Sequence, residues 1–409
     1  MSETEKTHGM DKTRVKPDWP PLTLAEVRAL LSRYPGCGEP MEILSVSPRP
    51  FSAASVVSTS SGRVFIKRHH HSVRNAEGLL EEHRFMIHLR RRGARVPQVF
   101  ATDAEETAIE VGEWTYEVHD VPAGLDLYED VLSWMPFFSA AHAYAAGQAL
   151  AHLHLAAKGF EEPARKVRPL VSSFTIFAAE DPAAELMRYL EARPALAASS
   201  LVQRSCDAAL GLLAPFHARL MPLLPELAPL WTHNDLHASN LMWSDNGDQA
   251  RATAIIDFGL ADRTNAVHDL AVTIERNIVE WLELRKGFEE DSDVPVHMDQ
   301  LKALLDGYDA VRPMSAAEAA ALAPMTALCH AEFALTEADY FQGVLHSEEN
   351  MLLCTDGYLQ GHARWYRGAG GTELLEAIAR WAETRRQKGR ATEQAKVEED
   401  ELAVDLSRR

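Results

Sequence analysis

Hydrophobic positions alternate along the first third of the chain and recur every three or four residues along the rest. After a polar opening, PLTLAEVRALLSRYPG sets leucines and valine at helical spacing between proline and glycine stops, which predicts a short helix. Three β-branched runs follow, MEILSVSP, AASVVSTS and RVFIKRH, separated by turn-forming residues; they predict strands of an antiparallel sheet. NAEGLLEEHRFMIHLRRRG then carries apolar residues at Leu79, Leu80, Phe85, Met86 and Leu89 and stops at Gly93, the pattern of a helix closed by a C-terminal glycine. VPQVFAT, TAIEVG and WTYEVHDVP return to strand-like text.

From about residue 136 the text turns rich in alanine and leucine at helical spacing: AAHAYAAGQALAHLHLAA, AELMRYLEA, SCDAALGLLAPFHARLMPLL, DLAVTIERNIVEWLELRKG and EAAALAPMTALCHAEFALTEADYF. A strand-rich third followed by a helical remainder is an α+β plan in two lobes, and 409 residues are enough for both. The expected division is a flexible tail over 1–20, an N-terminal lobe over 21–120, a helical C-terminal lobe over 121–384 and a charged tail over 385–409. VPAGLDLYED, around Val121 to Asp130, is the expected hinge.

Composition narrows the partners. With 46% apolar and 25% charged residues the chain is an ordinary globular protein. Its 41 basic against 60 acidic residues leave a net charge of −19, which repels phosphate backbones and anionic lipid, so neither nucleic acid nor membrane is the expected partner. Cys37, Cys206, Cys329 and Cys354 are far apart, with no C-x-x-C pair, and read as thiols in a reducing compartment. The opening MSETEKTHGMDKTRVK lacks the apolar core of a signal peptide, and the apolar stretches are broken by His and Gln, so the expected location is the cytoplasm.

Candidate chemistry concentrates in LWTHNDLHASNLMW. His233, Asp235 and Asn240 give H-x-D-x-x-x-x-N, and Asp257, Phe258 and Gly259 give D-F-G. Phosphoryl transfer needs a carboxylate beside the attacking hydroxyl and oxygen ligands that hold Mg²⁺ on nucleotide phosphates. Asp235 fits the first need, as base or orienting group, and Asn240 and Asp257 the second. The intervening LMWSDNGDQARATAIID has a turn between apolar runs and predicts a hairpin that returns the second aspartate beside the first loop.

With these motifs the chain resembles the aminoglycoside phosphotransferase, choline kinase and type II homoserine kinase superfamily. That resemblance implies a protein-kinase-like fold, ATP and Mg²⁺ as cofactors, and phosphoryl transfer to an alcohol. The signature H-G-D-L-H-x-x-N is matched from His233 to Asn240, with Asn234 in place of glycine, and His237 stands where protein kinases usually carry lysine. By the same resemblance Lys67 in GRVFIKRH is the ATP lysine, Glu82 or its neighbour Glu81 its ion-pair partner, and Asp269 in AVHDLAV a support for the catalytic loop through backbone hydrogen bonds. LLDGYDAVRPMSAAEAAAL resembles a segment of the homoserine kinase branch. The nucleotide-covering loop departs from the pattern: SPRPFSAASVV has no glycine, leaving Ser52 and Ser55 as hydroxyl donors to phosphate. Glu117 to Asp120, among them His119, are the candidate adenine contacts.

Histidines outside the motif have bland readings. RHHH, Arg68 to His71, reads as a solvated turn rather than a ligand set. His152 and His154 fall on different faces of one helix, as packing or surface residues. For the acceptor, Glu275, Arg276 and Trp281 on one predicted helix, with Glu332, Asp339 and Tyr340 on another, suit an ammonium-bearing alcohol. The expected function is therefore phosphorylation of a hydroxyl on a small molecule: an amino alcohol, a hydroxy amino acid such as homoserine, or an aminoglycoside-like antibiotic. A stress-response protein kinase of the same superfamily and a non-catalytic nucleotide-binding regulator are the alternatives.

Overall fold

The computed structural model describes residues 17–47, 50–166, 169–283 and 294–387. Most of the first expected tail and residues 388–409 of the second lie outside this set. Residues 17–20 belong to the folded body: Trp19 stacks on His70 and donates to the Phe51 carbonyl at 3.2 Å.

Helix α1 (Leu24–Leu31) starts at Thr23, which forms a reciprocal capping box with Glu26. Strands β1 (Pro40–Val46), β2 (Ala53–Thr59) and β3 (Gly62–His70) precede α2 (Ala76–Arg91), and β4 (Ala108–Val111) and β5 (Trp114–Asp120) complete an antiparallel sheet in the order β1-β2-β3-β5-β4. VPQVFAT forms no strand; it contributes one bridge, Val99 to His119. The period of two divides the sheet cleanly. Val57, Val64, Ile66 and Val118 pack with Val27, Leu30 and Leu31 of α1, a core of their own. Lys67, His69, Glu117 and His119, on the alternate positions, face the α2 side, where His83 meets Glu117.

The remainder is mainly helical: α3 (Ala140–Ala157), α4 (Pro182–Glu191), α5 (Pro194–Ala197) and α6 (Ser200–Leu220) lead into four short strands, β6 (Pro229–Thr232), β7 (Leu241–Trp243), β8 (Ala252–Ile255) and β9 (Asp262–Asn265). Helices α7 (Ala266–Ile278), α8 (Met298–Val311), α9 (Ala316–Leu328), α10 (His330–Asp339), α11 (Glu348–Leu352) and α12 (Gln360–Arg367) follow, with a last helical stretch over 369–387. Two long predicted helices are divided. DLAVTIERNIVEWLELRKG stops at Ile278, Val279 bridges to Val296, and Trp281 opens a separate 3₁₀ turn; residues 284–287 of that stretch lie outside the described set. The other divides at Cys329 into α9 and α10, and a π turn follows at Tyr340.

Two glycines decide how closely α3 and α8 approach. A Cβ on Gly147 would lie 2.1 Å from the Leu304 carbonyl oxygen, and one on Gly307 would lie 2.1 Å from that of Tyr144, so the backbones touch. Ser200–Glu226 is, by length and composition, one helical run apolar enough to cross a membrane; here Val202, Cys206, Ala209, Leu213 and Leu220 along it join the large core.

Candidate active site

The polar segment His233–Asn240 links two ribbons, for β6 pairs with β9 and β7 with β8. The expected hairpin thus forms, its turn closed by the Gly247 amide donating to Asp245 Oδ1. It returns the chain to Ile256, whose amide donates to the Asn240 carbonyl at 3.0 Å and whose carbonyl lies 2.9 Å from His233 Nε2. These two bonds bring Asp257 beside the loop that carries Asp235.

Asp235 is held from several sides. Asn240 Nδ2 donates to its carbonyl at 2.8 Å and reaches Oδ2 at 3.3 Å, its amide donates to His233 Nδ1 at 3.2 Å, and the Arg276 guanidinium sits 2.7 Å from Oδ1. His237 Nε2 is 3.9 Å away, its ring steadied by Ser239. Beneath the loop, Asp269 accepts the amides of His233 and Asn234, both at 2.8 Å, and lies 3.0 Å from His154 Nε2. Burial opposes its charge, but His154 and the loop outweigh this and lower its pKa. His154 leads on to Tyr308 at 2.7 Å, Arg312 and Glu318. The G-Y-x-x-x-R-P segment is thereby wired to the catalytic loop.

Asn234 has φ +60°, the left-handed region that glycine enters most easily. Its side chain makes the substitution workable: Oδ1 accepts from Thr232 and Thr264 and lies 3.2 Å from His268 Nδ1, while Nδ2 donates to the Ser172 carbonyl.

On the nucleotide side Lys67 Nζ meets Asp257 Oδ1 at 2.9 Å. Burial would lower the lysine's pKa, but Asp257, Glu117 and Glu82 more than offset it and raise it; Asp257, which burial alone would push up, is held well below the usual carboxylate range by that ammonium. Asp257 also has a positive φ, 61°, and keeps 38% of its side chain exposed. Asp235, Asn240 and Asp257 are hard oxygen donors of the kind Mg²⁺ takes, and Lys67 is a cation for phosphate.

Several expected roles are corrected by position. Glu82 does not pair with Lys67: Arg165 lies 3.2 Å from its carboxylate and Arg74 3.9 Å, and both arginines also bind the Gly259 carbonyl. Glu81 likewise faces Arg165, at 3.5 Å. Ser55 lies within β2 on the α1 side, opposite Ile66, away from the Lys67 face. Ser52 is buried just before β2. Glu117 and His119 are not at the hinge: they are buried within β5, in register with Lys67 and Phe65, and their side chains meet each other. His69, read as part of a solvated turn, is buried there too.

Of the acceptor candidates only Arg276 and His237 reach Asp235. Glu275 is buried, 3.0 Å from His362 Nδ1, and Trp281 stacks on that imidazole at 3.6 Å. Glu332 accepts the amides of Thr175 and Ile176, Asp339 faces Arg193 at 3.7 Å, and Tyr340 is fully buried with its hydroxyl on Asp18. Each belongs to the packing of the helical lobe. Phe51, within the glycine-free loop, packs edge-on to Tyr340 at 5.1 Å and against Phe341, a strap across the two lobes.

Glu337, Arg165 and Trp134 were not singled out from the sequence, and His154 was read there only as a packing or surface residue. Glu337 is buried, its pKa pushed up to about 8 by burial despite Arg276, with Asp235 and Glu275 adding to the rise. Trp134 and Phe333 flank the Arg276 guanidinium at 4.9 and 4.2 Å, and Tyr358 adjoins both rings. Only Glu337's spacing from Phe333, one helical turn, hinted at it.

The model of the phosphotransferase enzyme family matches residues 51–314, from within the glycine-free loop to just past α8. The chain belongs to this family. Homoserine kinase of Caulobacter vibrioides is 32% identical over 187 residues, 45% of this chain and 48% of that protein. The chain thus spans about half the length of the curated relatives it matches. Among solved structures, the microcompartment-associated aminopropanol kinase has 16% identity and a TM-score of 0.51 over 87% of this chain and 99% of that one. Aminoglycoside phosphotransferase APH(4)-Ia has 14% identity and a TM-score of 0.50 over 85% and 100%. At such identities the likeness establishes the family's protein-kinase-like fold, a small lobe with an antiparallel sheet and a larger helical lobe.

Proposed function

We propose that this protein is an ATP- and Mg²⁺-dependent kinase that phosphorylates a hydroxyl of a small, ammonium-bearing molecule. The observation that carries this reading is the stapling of Ile256 to both His233 and Asn240, which holds Asp235, Asn240 and Asp257 in one cleft with Lys67. Mg·ATP, when bound, supplies the γ-phosphoryl group and the positive charge on its oxygens. Asp235 accepts the acceptor's hydroxyl hydrogen bond and orients the oxygen for in-line attack, and takes its proton as the new P–O bond forms and the bond to the departing diphosphate breaks. Arg276 and Asn240 fix the carboxylate for that task. Asp269 fixes the loop's backbone. Asn240 and Asp257 would hold the metal ion, and Lys67, now on Asp257, would pair with phosphate.

The acceptor class is read from Glu337, a buried acid near Asp235 on the same helix as Phe333, whose ring adjoins Trp134 and Tyr358. A carboxylate among aromatic rings suits an ammonium group through ion pairing and cation–π attraction. The names of similar proteins, a homoserine kinase and an aminopropanol kinase, agree with an amino acid or amino alcohol. The test is ADP release with Mg·ATP across homoserine, hydroxylysine, choline, ethanolamine, aminopropanol, aminoglycosides and a generic protein substrate, with Asp235→Asn as control. A small amine that stimulates the wild type but not the variant supports the reading. Stimulation by the protein substrate alone sinks it.

A further inference from the structure

Behind Lys67, on the same face of the sheet, three imidazoles converge on one buried carboxylate. His83 of α2 and His119 of β5 each place Nε2 2.9 Å from Glu117 Oε2, while His69 of β3 holds Oε1 at 2.9 Å. All four residues are buried. The ligating atoms of His83, Glu117 and His119 lie within 4.8 Å of one another. His119 Nε2 is enclosed and makes no hydrogen bond, although it points at an oxygen already engaged by His83. A buried nitrogen left this way costs stability unless something fills the gap between it and its neighbours.

We propose that His83, Glu117 and His119 form a binding site for a transition-metal dication, distinct from the Mg²⁺ site expected in the catalytic cleft. Two imidazoles and a carboxylate are a ligand set that zinc takes, with a fourth position left for water. The surroundings are those of a ligand shell. Thr107 Oγ1 lies 2.9 Å from His83 Nδ1, and a histidine that donates its Nδ1 proton there presents the Nε2 lone pair to the cluster. His69 fixes the second carboxylate oxygen and leaves Oε2 for the ion. Because Glu117 is in register with Lys67, an ion here places positive charge immediately behind the phosphate-binding lysine.

The site is made of nitrogen donors and one carboxylate, so Mg²⁺ is a poor competitor for it. The experiment uses the full chain, freed of metal by chelation and kept in excess Mg²⁺, and titrates it with Co²⁺, followed by visible d–d absorption, and with Zn²⁺, followed by metal analysis and thermal unfolding. The expected result is one equivalent bound, a four-coordinate Co²⁺ spectrum and a raised Tm. His119→Ala and the volume-conserving His119→Gln should each weaken binding at least about tenfold with far-UV dichroism unchanged, and Thr107→Val should weaken it by about 10-fold or more through the supporting bond. His71→Ala, at an exposed neighbour, should leave it unchanged. Less than one equivalent of either ion in the wild type overturns the proposal. So does a Co²⁺ spectrum that survives both His119 substitutions.

Discussion

The two walls of the cleft are built differently. On the helical side, Asp269, His154, Arg276 and Asn277 hold the catalytic loop by backbone and side chain together; Asn277 alone accepts the Ala238 amide and donates to the Leu236 carbonyl. On the sheet side, Lys67 is spent on Asp257, Glu82 is taken by Arg165 and Arg74, and the covering loop has no glycine. On the proposed reading, one wall is ready for its substrate and the other would have to exchange partners on binding nucleotide. If Lys67 binds phosphate, its affinity for nucleotide would be reduced by whatever that exchange costs, and a weak apparent affinity with an intact chemical step is the expected signature.

The largest effect expected is on the prepared wall. Asp235→Asn should lower kcat by roughly 10²–10⁴-fold while nucleotide binding, read by calorimetry, stays near wild type. Wild-type turnover in that variant would remove Asp235 from the chemistry. Next, Asp269→Ala leaves two loop amides and His154 without their acceptor, and should cost about 3–5 kcal/mol in chemical denaturation as well as activity. Lys67→Ala should raise the KM for ATP or lower kcat, by about 10- to 100-fold in kcat/KM, and unchanged kinetics would place the nucleotide elsewhere.

Smaller effects sharpen the contrast. Glu337 has a folded pKa of about 8 against an ordinary 4.5, so between these values the folded protein binds more protons than the unfolded chain. Stability from this group is complete below pH of about 4.5 and is lost as pH rises through 8. Glu337→Gln should therefore flatten the decline of Tm across that window. The KM for an amine acceptor should fall as pH rises through about 8 in the wild type and not in the variant. The smallest kinetic effect is expected for Glu82→Gln, about threefold or less on the KM for ATP, because its partners are arginines. A loss as large as that of Lys67→Ala would show that Glu82 changes partner in the working state, and would make the two walls more alike than they stand here.

Legibility in the amino-acid text followed the same division. The sheet, its flanking helices and the hairpin from Leu241 to Ile255 were readable because alternation, helical spacing and the SDNGD turn are local signals. Asp235, Asn240 and Asp257 were readable because their spacing lies within one short loop and the hairpin after it. Arg276 was read as a candidate acceptor contact on a predicted helix, but that it locks Asp235 depends on how α7 packs under the loop, which no short window encodes. Glu82 was assigned by position, and its diversion depends on Arg165, more than eighty residues away and outside any helix or strand. Burial misled most often among acids: Glu275, Glu332 and Asp339 look like solvated or substrate-facing charges, yet the helical lobe encloses them with histidine, backbone amides and arginine. His154 shows the converse, an unremarkable helical histidine that supports Asp269.

The strap formed by Phe51 on Tyr340 and Phe341, with Trp19 and Asp18 behind it, also has a bearing on timing. A lobe that swings away to let spent diphosphate out must separate those rings and expose them to water. Any opening of the two lobes would have to part these contacts, so their strength sets how readily the closed arrangement gives way.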